Sequence, residues 1–286
     1  MKKILVTGAN GQLGQCLQKI SSQFEEFEFI FTDSETLDIT NKEEVNDFFW
    51  QNAPDFCINA AAYTAVDLAE TDIEKAFLVN ADGTENLAEA CAENNAQFIH
   101  VSTDYVFDGE NNLAYTEEDF TNPLGVYGAS KLAGDELALE VNPCSVILRT
   151  SWVYSEFGKN FVKTMLNLFA TKEELSIVAD QFGQPTNAND LAEAIMKIIK
   201  SEKITPGIFN FSNLGRISWF DFAEKIAELS DAKIKLNAIE TSQYPTPAKR
   251  PKNSVLDLDK ISKTYAIQLK PWEESLEGCV QILQNN

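Results

Sequence analysis

The stretch VTGANGQLG, residues 6–14, constrains the fold of this chain more than any other. Three glycines, Gly8, Gly11 and Gly14, directly follow a short β-branched run and lead into an amphipathic pattern that starts at Gln12. A strand–turn–helix without side chains lets a diphosphate approach the backbone, while the helix N-terminus supplies N–H donors and a favourable dipole. An ordinary tight turn is the alternative, but the flanking strand and helix favour a nucleotide-binding turn of the GxxGxxG type.

Strand-like runs alternate with helical patterns along the first half of the chain. Short, almost continuously apolar runs follow the first one, namely FEFIFTD, DFCINAA, QFIHVSTD and CSVILRTSWVY. Helical patterns separate them, at residues 12–22, 43–51, 73–94 and 127–141. Apolar strands connected by helices are typical of a parallel sheet with helices on both faces. The predicted fold class is therefore α/β, with a Rossmann-type doubly wound parallel sheet.

The pattern changes after Tyr154. Helical stretches now alternate with short strand-like pieces such as IFNFSN, and they lie at residues 160–170, 189–201 and 219–229. We therefore expect a smaller C-terminal substrate-binding lobe. The predicted division is a nucleotide-binding domain at residues 1–154, which holds the catalytic residues, and a lobe at residues 155–286, from which some segments return to the sheet.

Composition and charge exclude several classes of protein. The 286 residues are 44% hydrophobic, enough for a sizeable core, and the net charge of −21 argues against nucleic acid or an anionic membrane as a partner. A phosphate-bearing ligand must therefore be bound by local donors. Five scattered cysteines without a CxxC pair, and a single histidine, argue against a zinc site. We expect a cytoplasmic protein, because the sequence shows neither a signal peptide nor a membrane-length apolar stretch.

Two acidic residues follow the second predicted strand. Asp33 lies 19 residues after Gly14, where an acid commonly binds the ribose hydroxyls of a dinucleotide, and Asp38 is a second candidate. Solvated loop carboxylates are an equally good interpretation of either residue by itself. An acid here favours NADH over NADPH, because it would repel a 2′-phosphate, but both cofactors stay open. Small residues after the third strand, such as Ala62 and Thr64, would let the cofactor pass close to the backbone.

A tyrosine and a lysine stand four residues apart in the segment VYGASKLAGDE. Tyr127 and Lys131 would share one face of a helix, one turn apart. A free tyrosine has a pKa of about 10, and a neighbouring ammonium lowers it by stabilising the phenolate. Tyr127 could then protonate a carbonyl oxygen as hydride reaches the carbon, while Lys131 also holds the nicotinamide ribose. Such pairs are common on helix surfaces, so this interpretation depends on context.

The context is the stretch VSTDYVFDG at the end of the fourth predicted strand. Its polar residues Ser102, Thr103 and Asp104 would lie at the carboxyl edge of the sheet, where parallel α/β proteins bind their ligands. A hydroxyl there can hydrogen-bond both a substrate oxygen and the tyrosine. The glycine turn, the small-residue loop, the hydroxyl and the YxxxK pair, in this order, resemble the extended short-chain dehydrogenase/reductase superfamily. The resemblance implies a catalytic triad of Thr103, Tyr127 and Lys131.

A closer resemblance runs from residue 3 to about residue 275. The segments NAAAYTAVDLAE, STDYVFDG, VYGASKLAGDE, RTSWVY, NFVKTML, DQFGQPT and RPKNSVLD look like those of the dTDP-4-dehydrorhamnose reductase family. The resemblance implies that NADPH or NADH reduces a 4-keto dTDP-sugar to dTDP-L-rhamnose, the last step of the pathway. Two departures, Gly125 in place of an asparagine and Asp135 before Glu136 where AGE is common, leave the triad intact.

The same resemblance implies which residues contact the ligands. Substrate contacts are implied at Thr103, Asp104 and Trp152, although a core tryptophan is an equally good interpretation of the last. Cofactor contacts are implied at Gly11, Gln12, Leu13, Asp38, Ile39, Ala62, Tyr63 and Thr64.

Two basic or titratable residues outside these motifs need separate interpretations. Arg250 is a rare positive centre that could bind the substrate diphosphate bidentately, or could belong with Lys249 and Lys252 to a solvated basic loop. His100 lies inside a strand-like run, which favours a structural role over a catalytic one.

The nature of partners and metals is less constrained. Asp67, Glu70 and Asp72 suggest a cation site, but their spacing is more typical of a solvated helix start. No metal ligand is predicted, and Mg²⁺ stays open as an additional cofactor. The expected partner is a dTDP-sugar, and the expected state a monomer or homodimer. Two rivals stay open: another sugar-nucleotide reductase or epimerase of the superfamily, and a non-catalytic regulatory subunit, against which the complete triad argues.

Overall fold

Strands and helices alternate along the chain, of which the computed structural model describes residues 1–285. The strands are β1 (Lys2–Thr7), β2 (Phe27–Phe31), β3 (Phe56–Asn59), β4 (Gln97–Thr103), β5 (Val146–Thr150), β6 (Val153–Tyr154), β7 (Glu174–Val178), β8 (Phe182–Gly183), β9 (Thr186–Asn187), β10 (Gly207–Asn210), β11 (Ile217–Ser218) and β12 (Lys235–Ile239). The helices are α1 (Gln12–Ser21), α2 (Lys42–Asn52), α3 (Val66–Ala69), α4 (Ile73–Phe77), α5 (Gly83–Glu93), α6 (Val126–Val141), α7 (Phe161–Phe169), α8 (Ala188–Ile199), α9 (Trp219–Leu229), α10 (Asp259–Tyr265) and α11 (Trp272–Asn285).

The central sheet has six strands in the order β10–β5–β4–β3–β1–β2, and every neighbouring pair is parallel. Strands β3 and β5 are buried along their whole length, which explains why successive residues are apolar in both, up to the polar residues at their carboxyl ends. The chain leaves β1 in one direction for β2 and then returns on the other side for β3, so a ligand crevice is expected between β1 and β3. The predicted Rossmann-type fold is confirmed.

Helices cover both faces of the sheet. On one face α1 and α8 pack together through apolar residues such as Leu17 and Ile195. On the other face α2, α5 and α6 contribute Phe49, Leu87 and Ala138 to a second buried cluster. Burial of these two clusters fixes the strand ends, and therefore the loops that leave their carboxyl edge.

The chain beyond Tyr154 divides between the sheet and a separate lobe. Strand β10 forms the sheet edge beside β5, and α8 packs on α1. Helices α7, α9 and α11 surround a cluster of their own that includes Phe222 and Trp272. Because the lobe and the sheet share chain segments, a boundary after residue 154 stays a prediction.

Two predicted elements are interrupted. The helix expected at residues 73–94 contains a π-helical segment, Leu78–Asp82, between α4 and α5. The run CSVILRTSWVY ends as a sheet strand at Thr150, because Trp152 has a left-handed φ of +48° and β6 then pairs with β9 instead. Within residues 1–285, no helix is both long and apolar enough to cross a bilayer.

Candidate active site

A cleft of about 1090 Å³ opens at the carboxyl edge of the sheet and reaches residues of the C-terminal lobe. This volume lies slightly above the usual range for ligand pockets, as expected of a site for two ligands. Most predicted site residues line it: Gly8, Gly11, Gln12, Leu13, Asp33, Asp38, Ile39, Ala62, Thr64, Thr103, Asp104, Tyr127, Lys131 and Trp152. Gly14, Tyr63 and Arg250 lie elsewhere.

The glycine turn brings the backbone to the cleft surface. Gly8 has a φ of +69°, and a Cβ there would lie 2.6 Å from the carbonyl carbon of Ala60. Gly11 immediately precedes α1, so the unpaired N–H groups of the first helical turn lie at the cleft wall. Gly14 lies in α1 and packs against the turn, because a Cβ on it would lie 2.6 Å from Ala9 Cα. Two of the three glycines therefore shape the cleft, and the third allows the helix to pack.

The two acidic residues after β2 are held in fixed positions. Asp33 accepts hydrogen bonds from the Thr36 hydroxyl at 2.9 Å and from Asn10 Nδ2 at 2.6 Å. These bonds, chiefly the one from Thr36, lower the pKa of Asp33 below its ordinary value. Asp38 Oδ1 accepts from the hydroxyl and the N–H group of Thr40, at 2.8 and 3.0 Å. Both carboxylates can accept hydrogen bonds from a ribose.

The loop after β3 presents small residues to the cleft and points its tyrosine away. Ala62 and Thr64 line the cleft, whereas the Tyr63 hydroxyl donates to Asp72 at 3.2 Å. The Tyr63 backbone is bound on both sides by Asn80, which accepts from its N–H at 2.8 Å and donates to its carbonyl at 3.1 Å. Asn80 lies in the π-helical segment, and sequence reasoning missed it.

Thr103 ends β4 at the floor of the cleft, and Asp104 follows it at the start of a short 3₁₀ turn. The Thr103 hydroxyl donates to Asp104 Oδ1 at 3.1 Å. Asp104 is 2% exposed, and its Oδ2 has no hydrogen-bond partner within residues 1–285. Burial raises the pKa of Asp104 to about 7. An unsatisfied carboxyl oxygen of this kind is suited to a hydroxyl group of a ligand.

Tyr127 lies in the first turn of α6, beside this floor. Burial raises its pKa to about 12, and a hydrogen bond with the Thr103 side chain only partly offsets the rise. Besides burial and Thr103, the charges that act on this pKa are those of Asp104 and Asp135, both of which raise it, so a lowering by Lys131 stays a prediction. Tyr127 is fully protonated at neutral pH, the form in which it can donate a proton.

Lys131 lies one helical turn further along α6 and is almost completely buried. Its Nζ lies 2.8 Å from the carbonyl oxygen of Val101 and 3.0 Å from His100 Nε2. Burial lowers the pKa of Lys131 to about 8, while the nearby Asp135 carboxyl opposes the shift. The contact with His100 was not predicted, because no local pattern relates a strand residue to a helix residue 31 positions later.

Two stacked tryptophans form the lobe side of the cleft. The rings of Trp152 and Trp219 are nearly parallel, with centroids 3.6 Å apart, and both line the cleft. Gly183 allows this arrangement, since a Cβ there would lie 2.6 Å from Trp152 Cε2. Trp152 therefore lies at the cleft, where its contact with a substrate stays a prediction, and Trp219 was missed.

A loop before α7 adds residues that sequence reasoning also missed. Lys159 and Asn160 line the cleft. Asn160 Nδ2 donates to Gln12 Oε1 at 2.9 Å, which ties this loop to the glycine turn. Lys159 is exposed and brings a positive charge to the same region. The preceding glycine is the one local signal that could have indicated these residues.

Arg250 is engaged with Asp67 rather than with the cleft. Its Nη1 and Nη2 donate to the two Asp67 carboxylate oxygens at 2.9 and 2.8 Å, and this pairing raises the pKa of Arg250. A contact with the substrate diphosphate would require Arg250 to exchange partners.

The three acids considered as a cation site have separate partners. Asp67 binds Arg250, Glu70 accepts from the Val126 N–H at 2.9 Å, and Asp72 accepts from Tyr63. Within residues 1–285, no group of three or more His, Cys, Asp or Glu side chains is placed to hold a metal ion. The option of Mg²⁺ therefore finds no support.

Comparisons with known proteins agree over the whole chain. The family model described as RmlD substrate binding domain matches residues 1–285. A dTDP-4-dehydrorhamnose reductase from Aggregatibacter actinomycetemcomitans is 45% identical over 288 residues, which cover 97% of this chain and 98% of the relative.

Solved structures show the same likeness. That of a dTDP-4-dehydrorhamnose reductase from Clostridium acetobutylicum is 43% identical and superposes with a TM-score of 0.94, covering 99% of each chain. Another, from Bacillus anthracis in complex with NADP, is 39% identical with a TM-score of 0.95 and covers 99% of this chain and 100% of that one. The chain therefore belongs to the dTDP-4-dehydrorhamnose reductase family, as its motifs predict.

Proposed function

We propose that this chain reduces dTDP-4-dehydro-β-L-rhamnose to dTDP-L-rhamnose with NAD(P)H, the last step of dTDP-rhamnose synthesis. The observation that carries the proposal is the convergence of Thr103, Asp104 and Tyr127 with the glycine turn in one cleft. Reduction of a carbonyl group requires a proton donor and a nicotinamide site at the same sheet edge. The family assignment supports the choice of substrate.

Tyr127 acts as the acid. When bound, the dihydronicotinamide supplies a hydride to C4 of the sugar. The carbonyl oxygen takes the proton of the Tyr127 hydroxyl and becomes the product hydroxyl. Thr103, which shares a hydrogen bond with Tyr127, orients the carbonyl oxygen toward that proton.

Lys131 restores the proton that Tyr127 loses. The pKa of Lys131 is lowered to about 8 and that of Tyr127 is raised to about 12, so proton transfer from the ammonium to the phenolate is downhill. In the same position Lys131 can donate hydrogen bonds to the nicotinamide ribose.

Asp104 and Trp152 bind the sugar. The free Oδ2 of Asp104 accepts a hydrogen bond from a sugar hydroxyl, or donates one when the carboxyl is protonated, since its pKa is about 7. The Trp152 ring, fixed by its stack on Trp219, offers an apolar face to the deoxy side of the sugar.

The cofactor binds along the glycine turn, with Asp33 or Asp38 on the adenine ribose. NADH suits the acidic rim formed by Asp33, Glu35 and Asp38 better than NADPH, whose 2′-phosphate would be repelled. The relative from Bacillus anthracis was solved with NADP. We therefore expect both cofactors to be oxidised, NADH with the higher kcat/KM.

The remaining expectations rest on the sequence. A substrate role for the lobe beyond residue 154, a diphosphate contact by Arg250, a cytoplasmic location and a monomeric or homodimeric state stay predictions.

Absorbance assays of NADH and NADPH oxidation with enzymatically prepared dTDP-4-dehydro-L-rhamnose test the proposed function. Rapid oxidation that requires the sugar nucleotide, with dTDP-L-rhamnose identified by NMR, is the expected result. Isomerised sugar without net oxidation would instead identify an epimerase. Cofactor binding without turnover would identify a regulatory subunit.

A further inference from the structure

The only histidine in the chain, His100, lies in direct contact with the proposed catalytic lysine. It is completely buried in β4, between Lys131 on one side and Asn59 on the other. His100 Nε2 lies 3.0 Å from Lys131 Nζ, and His100 Nδ1 lies 3.0 Å from Asn59 Nδ2. Burial, and then the charge of Lys131, hold the pKa of His100 well below its ordinary value, so the imidazole is neutral.

The surroundings of Asn59 determine which nitrogen of His100 carries the proton. Asn59 Oδ1 accepts from the Ala61 N–H at 3.1 Å and from the Thr7 hydroxyl at 2.7 Å. The Ala61 N–H can only donate, so the amide oxygen must face it. The Asn59 NH₂ group therefore faces His100 Nδ1, which must accept. A neutral imidazole that accepts at Nδ1 has its proton on Nε2.

That proton points at Lys131. An ammonium has three donors and no acceptor. If Lys131 were protonated, its N–H group and the His100 Nε2–H group would face each other as two donors with no acceptor between them. A neutral amine has a lone pair that accepts this proton, while one of its own N–H bonds donates to the Val101 carbonyl oxygen at 2.8 Å. The hydrogen-bond geometry is therefore complete when Lys131 has lost its third proton.

Other charged groups around Lys131 do not remove this conflict. Asp135 Oδ1 lies 3.8 Å from His100 Nε2, which is beyond hydrogen-bond distance. The other Asp135 oxygen accepts from Arg149 Nε at 3.2 Å, so a guanidinium partly neutralises this carboxyl. Tyr127, one turn earlier in α6, is uncharged at neutral pH.

We propose that His100, held by Asn59 in the tautomer with its proton on Nε2, is a positioning residue that weakens the hold of Lys131 on its third proton. The mechanistic consequence, that the ammonium form of Lys131 gives up its third proton readily to the Tyr127 phenolate, rests on the proposed function. The tautomer and its effect on Lys131 do not.

A single histidine makes the proposal directly measurable. Protein labelled with ¹⁵N-histidine gives one imidazole in a long-range ¹H–¹⁵N spectrum. We expect Nε2 to carry the proton and the ring to stay neutral above pH 6. We also expect its Nε2 signal to change with an inflection at or below pH 8, which disappears in the Lys131→Met variant. A proton on Nδ1, a charged ring, or an inflection that persists without Lys131 would overturn the proposal.

Replacement of Asn59 by aspartate reverses the tautomer. A carboxylate can only accept, so His100 must place its proton on Nδ1 and accept from Lys131 through Nε2. We expect Asn59→Asp to move the Lys131 inflection upward by more than one pH unit. The matched control is Asn142→Asp, another buried asparagine, which bonds to Ala88 and Cys144. The same tautomer in Asn59→Asp as in the unaltered protein would contradict the proposal, provided circular dichroism shows a folded chain.

The pH dependence of turnover separates this proposal from the proposed function. In an active enzyme, Asn59→Asp should move the basic limb of the kcat profile in the same direction as the Lys131 inflection, and Asn142→Asp should not. If the unaltered protein does not reduce the sugar nucleotide, the proposed function fails while the ¹⁵N result still decides the role of His100.

Discussion

The two halves of the cleft are built by opposite means. The half of the cleft where we propose that the cofactor binds, called here the cofactor half, is formed by the glycine turn and the loop after β3. It owes its shape to missing side chains, as at Gly8 and Ala62. The half that holds the proposed catalytic residues, called here the catalytic half, is filled by buried polar side chains that hydrogen-bond to one another, among them Asn59, His100 and Lys131. Acids in the two halves respond accordingly: hydrogen bonds lower the pKa of Asp33, and burial raises that of Asp104.

Because the two halves are built differently, substitutions in them should have different effects. An added atom in the cofactor half collides with backbone that cannot move. A substitution in the catalytic half that moves or removes a proton leaves a buried polar group without a hydrogen-bond partner. Such a substitution changes the chemistry of the site without changing the shape of the cleft. Substitutions should therefore separate binding from turnover.

Tyr127→Phe should separate the halves most completely. It removes the proton donor but keeps the ring, so we expect kcat to fall by about 10²–10⁴-fold with cofactor affinity nearly unchanged. Steady-state kinetics and calorimetric titration of NADH measure the two effects. Tyr265→Phe, which loses a hydroxyl bonded to Thr205 outside the cleft, is the control and should keep its turnover. Wild-type turnover in Tyr127→Phe would remove Tyr127 from the mechanism.

Gly8→Ala should damage the cofactor half and the fold together. The new Cβ would lie 2.6 Å from Ala60 backbone atoms at a φ of +69°, so we expect the free energy of unfolding to fall by about 4 kcal/mol and cofactor binding to weaken. Urea denaturation measures the loss. Gly278→Ala, where a Cβ meets nothing within 4 Å in α11, should be neutral or slightly stabilising. Equal stability of the two variants would show that the turn is not rigid.

Asp104 should make stability depend on pH. The pKa of Asp104 in the folded protein is about 7, above the ordinary value of 3.8. The contribution of Asp104 to the free energy of unfolding is therefore fully present below about pH 4 and is lost as the pH rises through 7. Between pH 5 and pH 8, we expect the unaltered protein to lose about 2–3 kcal/mol relative to Asp104→Asn. Urea denaturation of both proteins at the two pH values gives the difference. If the free energies of unfolding of the two proteins changed equally between pH 5 and pH 8, Asp104 would be ionised in the folded state over this range.

Asp33→Asn should have the smallest effect, confined to cofactor choice. Two unit charges about 4 Å apart interact with about 1 kcal/mol in water, so the removal of a charge that repels the 2′-phosphate should raise the NADPH to NADH ratio of kcat/KM about fivefold. Glu25→Gln, an exposed acid before β2, is the control for net charge. An unchanged ratio in Asp33→Asn would assign the ribose to Asp38.

The cofactor half could be predicted well from the sequence because its signals are local. A glycine turn, an acid after a strand and a small-residue loop are each read from a few neighbouring residues, and all but Gly14 and Tyr63 among them lie at the cleft. Even here the sequence could not show that Gly14 supports the helix rather than the ligand.

The catalytic half was predicted in its motif but not in its electrostatics. YxxxK indicated Tyr127 and Lys131, but the pKa of the tyrosine is set by burial, which four residues of sequence do not reveal. Trp219 and the contact of Lys131 with His100 join residues that are far apart in the chain. Contacts of this kind depend on how the elements pack, so periodicity and spacing cannot indicate them.

The position of β10 at the sheet edge has a consequence for biosynthesis. Strand β5 ends at Thr150, but the neighbour that covers it begins at Gly207. At a synthesis rate of about 5–20 residues per second, the β5 edge waits roughly 3–11 seconds for its partner on the ribosome. An uncovered apolar edge strand can pair with another chain during that interval. The nascent polypeptide should therefore need chaperone protection until the last third of translation.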